Sequence, residues 1–384
     1  MTGSPRILIL SAGYGAGHLQ AARALEAAIS ITRPAWETHV YNFIELVSPF
    51  FDLVSRYFYL SLVRRFPRCY GWFYRQTDKH LREQGYVLDS LGRSALKGLL
   101  AEVQPHLLVA TFPTPGRVAA TLRLRGELKV PVAMVLTDHT AHAEWVHPGV
   151  DLYLVPDGGV RQTLIRRGVS PGKIEVIGVP IHPCFAAVPD RQVARQRLGL
   201  AGGQPVILVM GGGFSRVAAI EEMCAALRHL TLPLQVLVVT GRDKVVWRRL
   251  TGRFGQDPRF RFYGFVENVV EFMAAADLLV GKAGALTLAE AAAAGLPVII
   301  YRCLPGQEEA NALYYVRSGG ALWVKSLEEL VCWVTKVLRD EDGVGSSLRQ
   351  GIKQLARPEA AKAAAALLAG LAEKGGTGRE WVAG

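Results

Sequence analysis

The chain has 384 residues, half of them hydrophobic and a fifth charged, which excludes wholesale disorder and exceeds what one hydrophobic core comfortably holds. A formal net charge of +11 favours an anionic partner: a nucleic acid, an anionic membrane or a phosphorylated small molecule. Five scattered cysteines (Cys69, Cys184, Cys224, Cys303, Cys332), with no CxxC pair, argue against a disulfide framework and a structural zinc site.

Met1 to Arg6 lead directly into an apolar run, Ile7-Leu8-Ile9-Leu10, that reads as a buried strand. The stretch to Ala22 carries three glycines, His18 and Gln20, so it reads as strand, loop and helix start and not as a signal peptide. No stretch resembles a spanning helix, and the chain is expected to be made and kept in the cytoplasm. Gly13-Tyr14-Gly15-Ala16-Gly17-His18 then turns into a predicted helix from Leu19 to Ile29. Glycines let backbone N–H groups approach a ligand, and a helix start favours negative charge. The spacing is not the dinucleotide fingerprint, and the second strand, about His39 to Asn42, ends without an acidic residue for a ribose. Such a turn can also be a plain tight connection. His18 sharpens it: a neutral imidazole at a helix start can accept a proton near neutral pH, although a lone histidine is more often a cap or a packed side chain.

From Phe43 to Tyr74 come 11 of the chain's 33 aromatic residues. Phe50, Phe51, Tyr57, Phe58, Trp72 and Phe73 are interleaved with Arg64, Arg65 and Arg68. Rings and cations together suit a membrane interface. Core packing and single-stranded nucleic acid are the competing readings, the second without any accompanying motif.

Further continuous apolar runs follow: Leu107 to Ala110, Val132 to Leu136 and Leu152 to Val155, then Val206 to Met210, Val236 to Val239, Leu278 to Val280 and Val298 to Ile300. Unbroken apolar strands separated by helices indicate parallel sheets covered on both faces, and two such sets give two doubly wound, Rossmann-like α/β domains. Proline and glycine between Gly178 and Gly203 mark the join. The expected division is an N-terminal domain over 1–185, a linker over 186–203, a second domain over 204–345, and over 346–384 an Ala-rich helix with a frayed tail, the helix being free to return to the first domain.

In the second half, Gly211-Gly212-Gly213-Phe214-Ser215 follows one strand and Gly281-Lys282-Ala283-Gly284-Ala285-Leu286-Thr287 another; both are phosphate-type turns. Thr287 and Glu290 also fit a capping box. The cluster Pro305-Gly306-Gln307-Glu308-Glu309-Ala310-Asn311, just beyond a strand, offers the donors and acceptors that sugar hydroxyls require. The one Asp-x-Asp, Asp340-Glu341-Asp342, sits in a charged, glycine-bounded loop and reads as solvated surface, so no metal is expected.

These residues resemble the processive and plant-type monoglycosyl-diacylglycerol synthases, which belong with the peptidoglycan N-acetylglucosaminyltransferases among inverting GT-B glycosyltransferases. The likeness spans Ile7 to about Lys374. It is carried by the opening glycine turn with His18, by Thr137-Asp138, His142, Trp145 and Val150-Asp151-Leu152-Tyr153, and by Gly284 to Asn311. It implies two domains facing across a cleft and a UDP-sugar, UDP-glucose or UDP-galactose, held by the second without metal or cofactor. By the same likeness Glu290 takes the ribose hydroxyls, and backbone at Phe265-Val266 the uracil. Gly212, Gly213, Ser215, Gly284, Ala285, Leu286 and Thr287 lie near the diphosphate, and Gln307, Glu308 and Asn311 read the sugar. Gly15, Gly17 and Trp145 belong to the acceptor side. His18 is the base toward a diacylglycerol hydroxyl, with Asp138 orienting it or sharing the role. The protein would lie peripherally on the inner face of the cell membrane. Gln307-Glu308 departs from the Gln-Gln of the peptidoglycan branch. Two other readings stay open: a UDP-sugar 2-epimerase, and a non-catalytic UDP-sugar- or lipid-binding regulator.

Overall fold

The structure, a computed structural model, describes residues 4–13, 16–48, 50, 71–72, 76–78, 87–211 and 217–375. The chain divides into two compact units, one formed by the part up to Pro183 together with the part from Glu359 onward, the other by Cys184–Pro358.

The first unit runs β1 (Arg6–Ser11), α1 (Ala16–Thr32), β2 (Glu37–Asn42), α2 (Phe43–Val47), α3 (Val87–Val103), β3 (Leu107–Ala110), α4 (Pro113–Leu124), β4 (Val132–Val135), β5 (Leu152–Val155), α5 (Gly158–Arg166) and β6 (Ile174–Val176). The strands form one parallel sheet in the order β2-β1-β3-β4-β5-β6. Alternate residues of a strand point to opposite faces, so Leu8 and Leu10 enter a core with Leu96, Leu100 and Val118, while Ile7 and Ile9 enter one with Leu25 and Ile29. Burial on both faces is why these strands read as continuous apolar runs.

The second unit holds α6 (Arg191–Arg197), β7 (Val206–Met210), α7 (Val217–Arg228), β8 (Gln235–Val239), α8 (Lys244–Phe254), β9 (Phe260–Tyr263), α9 (Val269–Ala275), β10 (Leu278–Gly281), α10 (Ala285–Ala293), β11 (Val298–Tyr301), α11 (Gln307–Arg317), β12 (Ala321–Val324), α12 (Leu327–Arg339) and α13 (Val344–Gln354). Its parallel sheet has the order β12-β11-β10-β7-β8-β9. Helix α6 lies inside the proline- and glycine-marked stretch. Asp190 caps it by accepting from the N–H groups of Gln192 and Val193, and Arg195 binds it to the sheet through Asp277 at 2.6 Å and the Ala275 carbonyl at 2.9 Å.

The single Ala-rich helix expected from residue 346 onward is two helices, α13, which holds no alanine, and the Ala-rich α14 (Ala360–Gly375). Pro358 disfavours helical backbone at the residue before it, which separates them. Helix α13 stays in the second unit, whereas Ala361, Ala364, Ala365, Leu368 and Ala372 of α14 pack against α1 in the first.

In each sheet the strand order reverses once. The reversal falls between β1 and β3 in the first unit and between β7 and β10 in the second. The crevice outside the carboxyl ends of such a strand pair is where doubly wound sheets bind ligands. The glycine turn before His18 follows β1, and the turns at Gly211 and Gly284 follow β7 and β10, so all three open at reversal points.

Candidate active site

In the first unit, His18 is the third residue of α1 and is clamped by the ends of two strands. After β3, the Thr111 hydroxyl donates to the His18 carbonyl at 3.1 Å. After β4, the Thr137 hydroxyl lies 3.2 Å from His18 Nδ1, and the Phe112 ring packs edge-on at 5.2 Å. Desolvation lowers the imidazole pKa below its ordinary value, outweighing the Asp138 charge and a backbone hydrogen bond at Thr111 that pull it up. The ring is therefore neutral near pH 7. If Nδ1–H donates to Thr137, Nε2 is the basic nitrogen.

The loop beyond Asp138 is braced throughout. His139 Nδ1 meets Asp157 at 2.7 Å, and Asp157 also caps α5 through the N–H groups of Gly159 and Val160. Burial pushes the Asp157 carboxyl up, but the His139 and backbone hydrogen bonds outweigh it and hold the pKa below the ordinary carboxylate value. His142 Nδ1 accepts from the Glu144 N–H, so its proton sits on Nε2 and is donated to the Thr77 hydroxyl at 3.2 Å. The neighbouring Asp78 carboxylate accepts from the Ala143 N–H at 2.8 Å and from Arg167 at 2.7 Å. Thr77 and Asp78, a few residues past the aromatic and basic segment, are thereby tied to the loop carrying Thr137 and Asp138. Trp145 is 4% exposed and packs on α4 in the core, so it supports this loop from beneath.

Of the interfacial candidates, Phe50 and Trp72 are 75% and 60% exposed. Phe43, the first aromatic of that segment, is instead a core residue, as aromatic residues at helical spacing often are. Phe51, Tyr57, Phe58, Arg64, Arg65, Arg68 and Phe73 lie outside the described residues, as do Gly15, Gly212, Gly213 and Ser215. Gly17 is described, and a Cβ there would meet nothing within 4 Å among the described residues.

In the second unit, β10 passes so close to β7 that a Cβ on Gly281 would stand 2.5 Å from the Met210 carbonyl oxygen; only glycine fits. The turn Lys282-Ala283-Gly284 follows, and Gly284 caps α10 without any side-chain hydrogen bond. Thr287 and Glu290 therefore do not form a capping box. Glu290 sits inside α10, 8% exposed, and desolvation raises its pKa to about 8. Ala285 is buried, while Leu286 and Thr287 are half-buried.

Asn311, fully buried on α11, donates to the Ala283 carbonyl at 3.2 Å and so holds the turn. Glu308 forms an ion pair with Lys282 through one oxygen and accepts the Leu304 N–H at 2.9 Å through the other. Gln307, the first residue of α11, is half-buried beside them. Phe265 is 46% exposed after β9, with the Arg242 guanidinium over its ring at 4.3 Å, and Val266 is half-buried. Thr240 ties the two loops by donating its N–H and its hydroxyl to the Tyr263 carbonyl, each at 3.0 Å. Lys282 and Arg242 contact candidate site residues, Glu308 and Phe265, and the sequence does not single them out. Lys282 carries a signal, since it stands within the glycine turn itself.

Two parallel α/β units, each with a glycine-rich turn at its strand reversal, one carrying a neutral histidine and the other a buried carboxylate, define a GT-B-like protein. Comparison with known proteins gives the lineage. Residues 18–181 match the monogalactosyldiacylglycerol (MGDG) synthase family and residues 206–367 the glycosyltransferase family 28 C-terminal domain. A processive diacylglycerol beta-glucosyltransferase of Bacillus subtilis (strain 168) is 31% identical over 92% of this chain and 92% of its own length. The chain belongs to this family of processive diacylglycerol glucosyltransferases and MGDG synthases. The fold is shared more widely. Acinetobacter baumannii MurG superposes with a TM-score of 0.62 at 15% identity, covering 95% of this chain and 99% of its own. A UDP-GlcNAc 2-epimerase from Neisseria meningitidis superposes with a TM-score of 0.58 at 12% identity, over 96% and 100%. Fold alone thus does not separate transferase from epimerase; the sequence match does.

Proposed function

We propose that this protein transfers a hexose from a UDP-sugar to the free hydroxyl of diacylglycerol, with inversion at the anomeric carbon. The observation that carries this reading is the family match over both halves of the chain, joined to a histidine kept neutral at the first strand reversal. His18 removes the hydroxyl proton while the acceptor oxygen bonds to the anomeric carbon and the bond from that carbon to the diphosphate breaks. Thr137 accepts a hydrogen bond from Nδ1–H and so fixes the tautomer, and the Asp138 charge stabilises the imidazolium as it forms. The opening of α10 and the backbone turn before it receive the departing diphosphate. Glu290 accepts the ribose hydroxyls, Phe265 and Val266 flank the uracil, and Gln307 with Glu308 contacts the hexose. Asn311 acts through the backbone turn that it holds.

UDP-glucose is the donor to test first, since the relatives are named as β-glucosyltransferases and UDP-glucose is α-linked, so one displacement inverts it to β. The acceptor lies in a bilayer. Among the described residues no helix is long and apolar enough to cross a membrane. Exposed Phe50 and Trp72, with the net positive charge, support peripheral binding to an anionic surface. Incubation with UDP-glucose or UDP-galactose, with and without diacylglycerol vesicles, tests the reading. UDP released only with lipid, alongside a glycolipid product, is the expected result. Epimerised nucleotide without lipid, or tight binding without turnover, would overturn it.

A further inference from the structure

We infer that Lys282 is the cation that holds the donor diphosphate, leaving Glu308 for the sugar when the nucleotide binds. The inference rests on the proposed UDP-sugar site. Lys282 is the first residue after β10 at the strand reversal, three residues before α10 begins, so its stem starts where the backbone turn presents N–H groups to a phosphate. Its ammonium meets Glu308, whose side chain is only 12% exposed. A buried carboxylate at that place would repel a diphosphate; the neighbouring ammonium cancels that field and, on a flexible four-carbon stem, can turn to the incoming anion.

Glu308 is not stranded by the exchange. It keeps the Leu304 N–H on its second oxygen, and the oxygen that Lys282 vacates becomes an acceptor for a sugar hydroxyl. The half-buried Cys303 thiol lies beside the pair and feels both charges. Burial first, then the Glu308 charge, raises its pKa to about 12, while Lys282 acts in the opposite direction. During transfer the electron pair of the breaking bond stays on the terminal phosphate oxygen of UDP. The extra charge is met by the ammonium, with no proton delivered to the departing phosphate.

Calorimetric titration with UDP and with uridine, which lacks the phosphates, tests this. Wild-type protein is expected to bind UDP well above uridine. Lys282→Met should weaken UDP by about 10- to 100-fold, the scale of one charge-assisted hydrogen bond, and leave uridine unchanged, which also verifies folding. Glu308→Gln should hold UDP as tightly as wild type or more tightly, while turnover of UDP-glucose falls. UDP bound equally by wild type and Lys282→Met overturns the assignment and leaves the donor site standing. Wild type that binds neither compound sinks the donor site and this assignment with it.

Discussion

The Thr137 hydroxyl stands 3.2 Å from Nδ1 of His18, joining the end of β4 to the start of α1 across residues 119 apart in sequence. Because burial depresses the imidazole pKa, the neutral, proton-accepting form persists below the ordinary value of 6.5. The acid limb of the kcat/KM–pH profile is therefore expected below pH 6.5. Replacing His18 with Ala should cut turnover about 10²- to 10⁴-fold and remove that limb. A variant with near-normal turnover would take His18 out of the role.

Glu290 behaves in the opposite sense. Its folded-state pKa of about 8 lies above the ordinary carboxyl value of 4.5, so in that interval the folded chain binds more proton than the unfolded one. Its contribution to stability is full below pH 4.5 and is lost as pH rises through 8. Glu290→Gln, which cannot ionise, should therefore raise the stability of the free protein at pH 9 by on the order of a few kcal/mol, read by urea unfolding. The same change should weaken UDP. Ribose hydroxyls donate to the carboxylate, so wild-type UDP affinity should climb from pH 6 to 9 with proton release below pH 8. A flat affinity profile would separate Glu290 from the ribose.

Asp78 ties a short segment to the loop after β4 through Ala143 and to the end of α5 through Arg167. Asp78→Ala leaves that amide and guanidinium without their acceptor, at a cost of about 1–3 kcal/mol. Hydrogen exchange at the Ala143 amide should accelerate, and glycolipid formation should fall while UDP affinity holds. Unaltered exchange at Ala143 would show that the tether does not carry the loop.

Phe50→Ser with Trp72→Ser should reduce partition into vesicles containing anionic lipid, without changing UDP affinity. Neutralising Arg64, Arg65 and Arg68 should cost roughly 1 kcal/mol per charge, most clearly at low salt. Vesicle binding that survives both changes would return this segment to the ordinary protein surface.

Periodicity and punctuation alone revealed the parallel sheets, because a strand buried on both faces must be apolar at every position. The place of His18 at a helix start and the glycine turn between β10 and α10 were equally legible, since a tight strand-to-helix connection favours glycine, whereas a ligand for Glu290 came only from the family resemblance. Chemistry visible residue by residue ended there. Whether Thr287 and Glu290 cap a helix turns on where α10 starts, and Gly284 settles that by serving as the cap itself. That Phe43 and Trp145 are core while Phe50 and Trp72 are exposed follows from packing partners scattered along the first unit, which no local pattern encodes. The sequence reads as one Ala-rich helix over this stretch, yet it is two helices, α13 without any alanine and the Ala-rich α14, one belonging to each unit, because which surface a helix covers depends on the sheet it meets. Lys282 shows the same division: its place in the turn was written in the chain, but its pairing with Glu308, 26 residues later, required β10 and β11 to lie side by side.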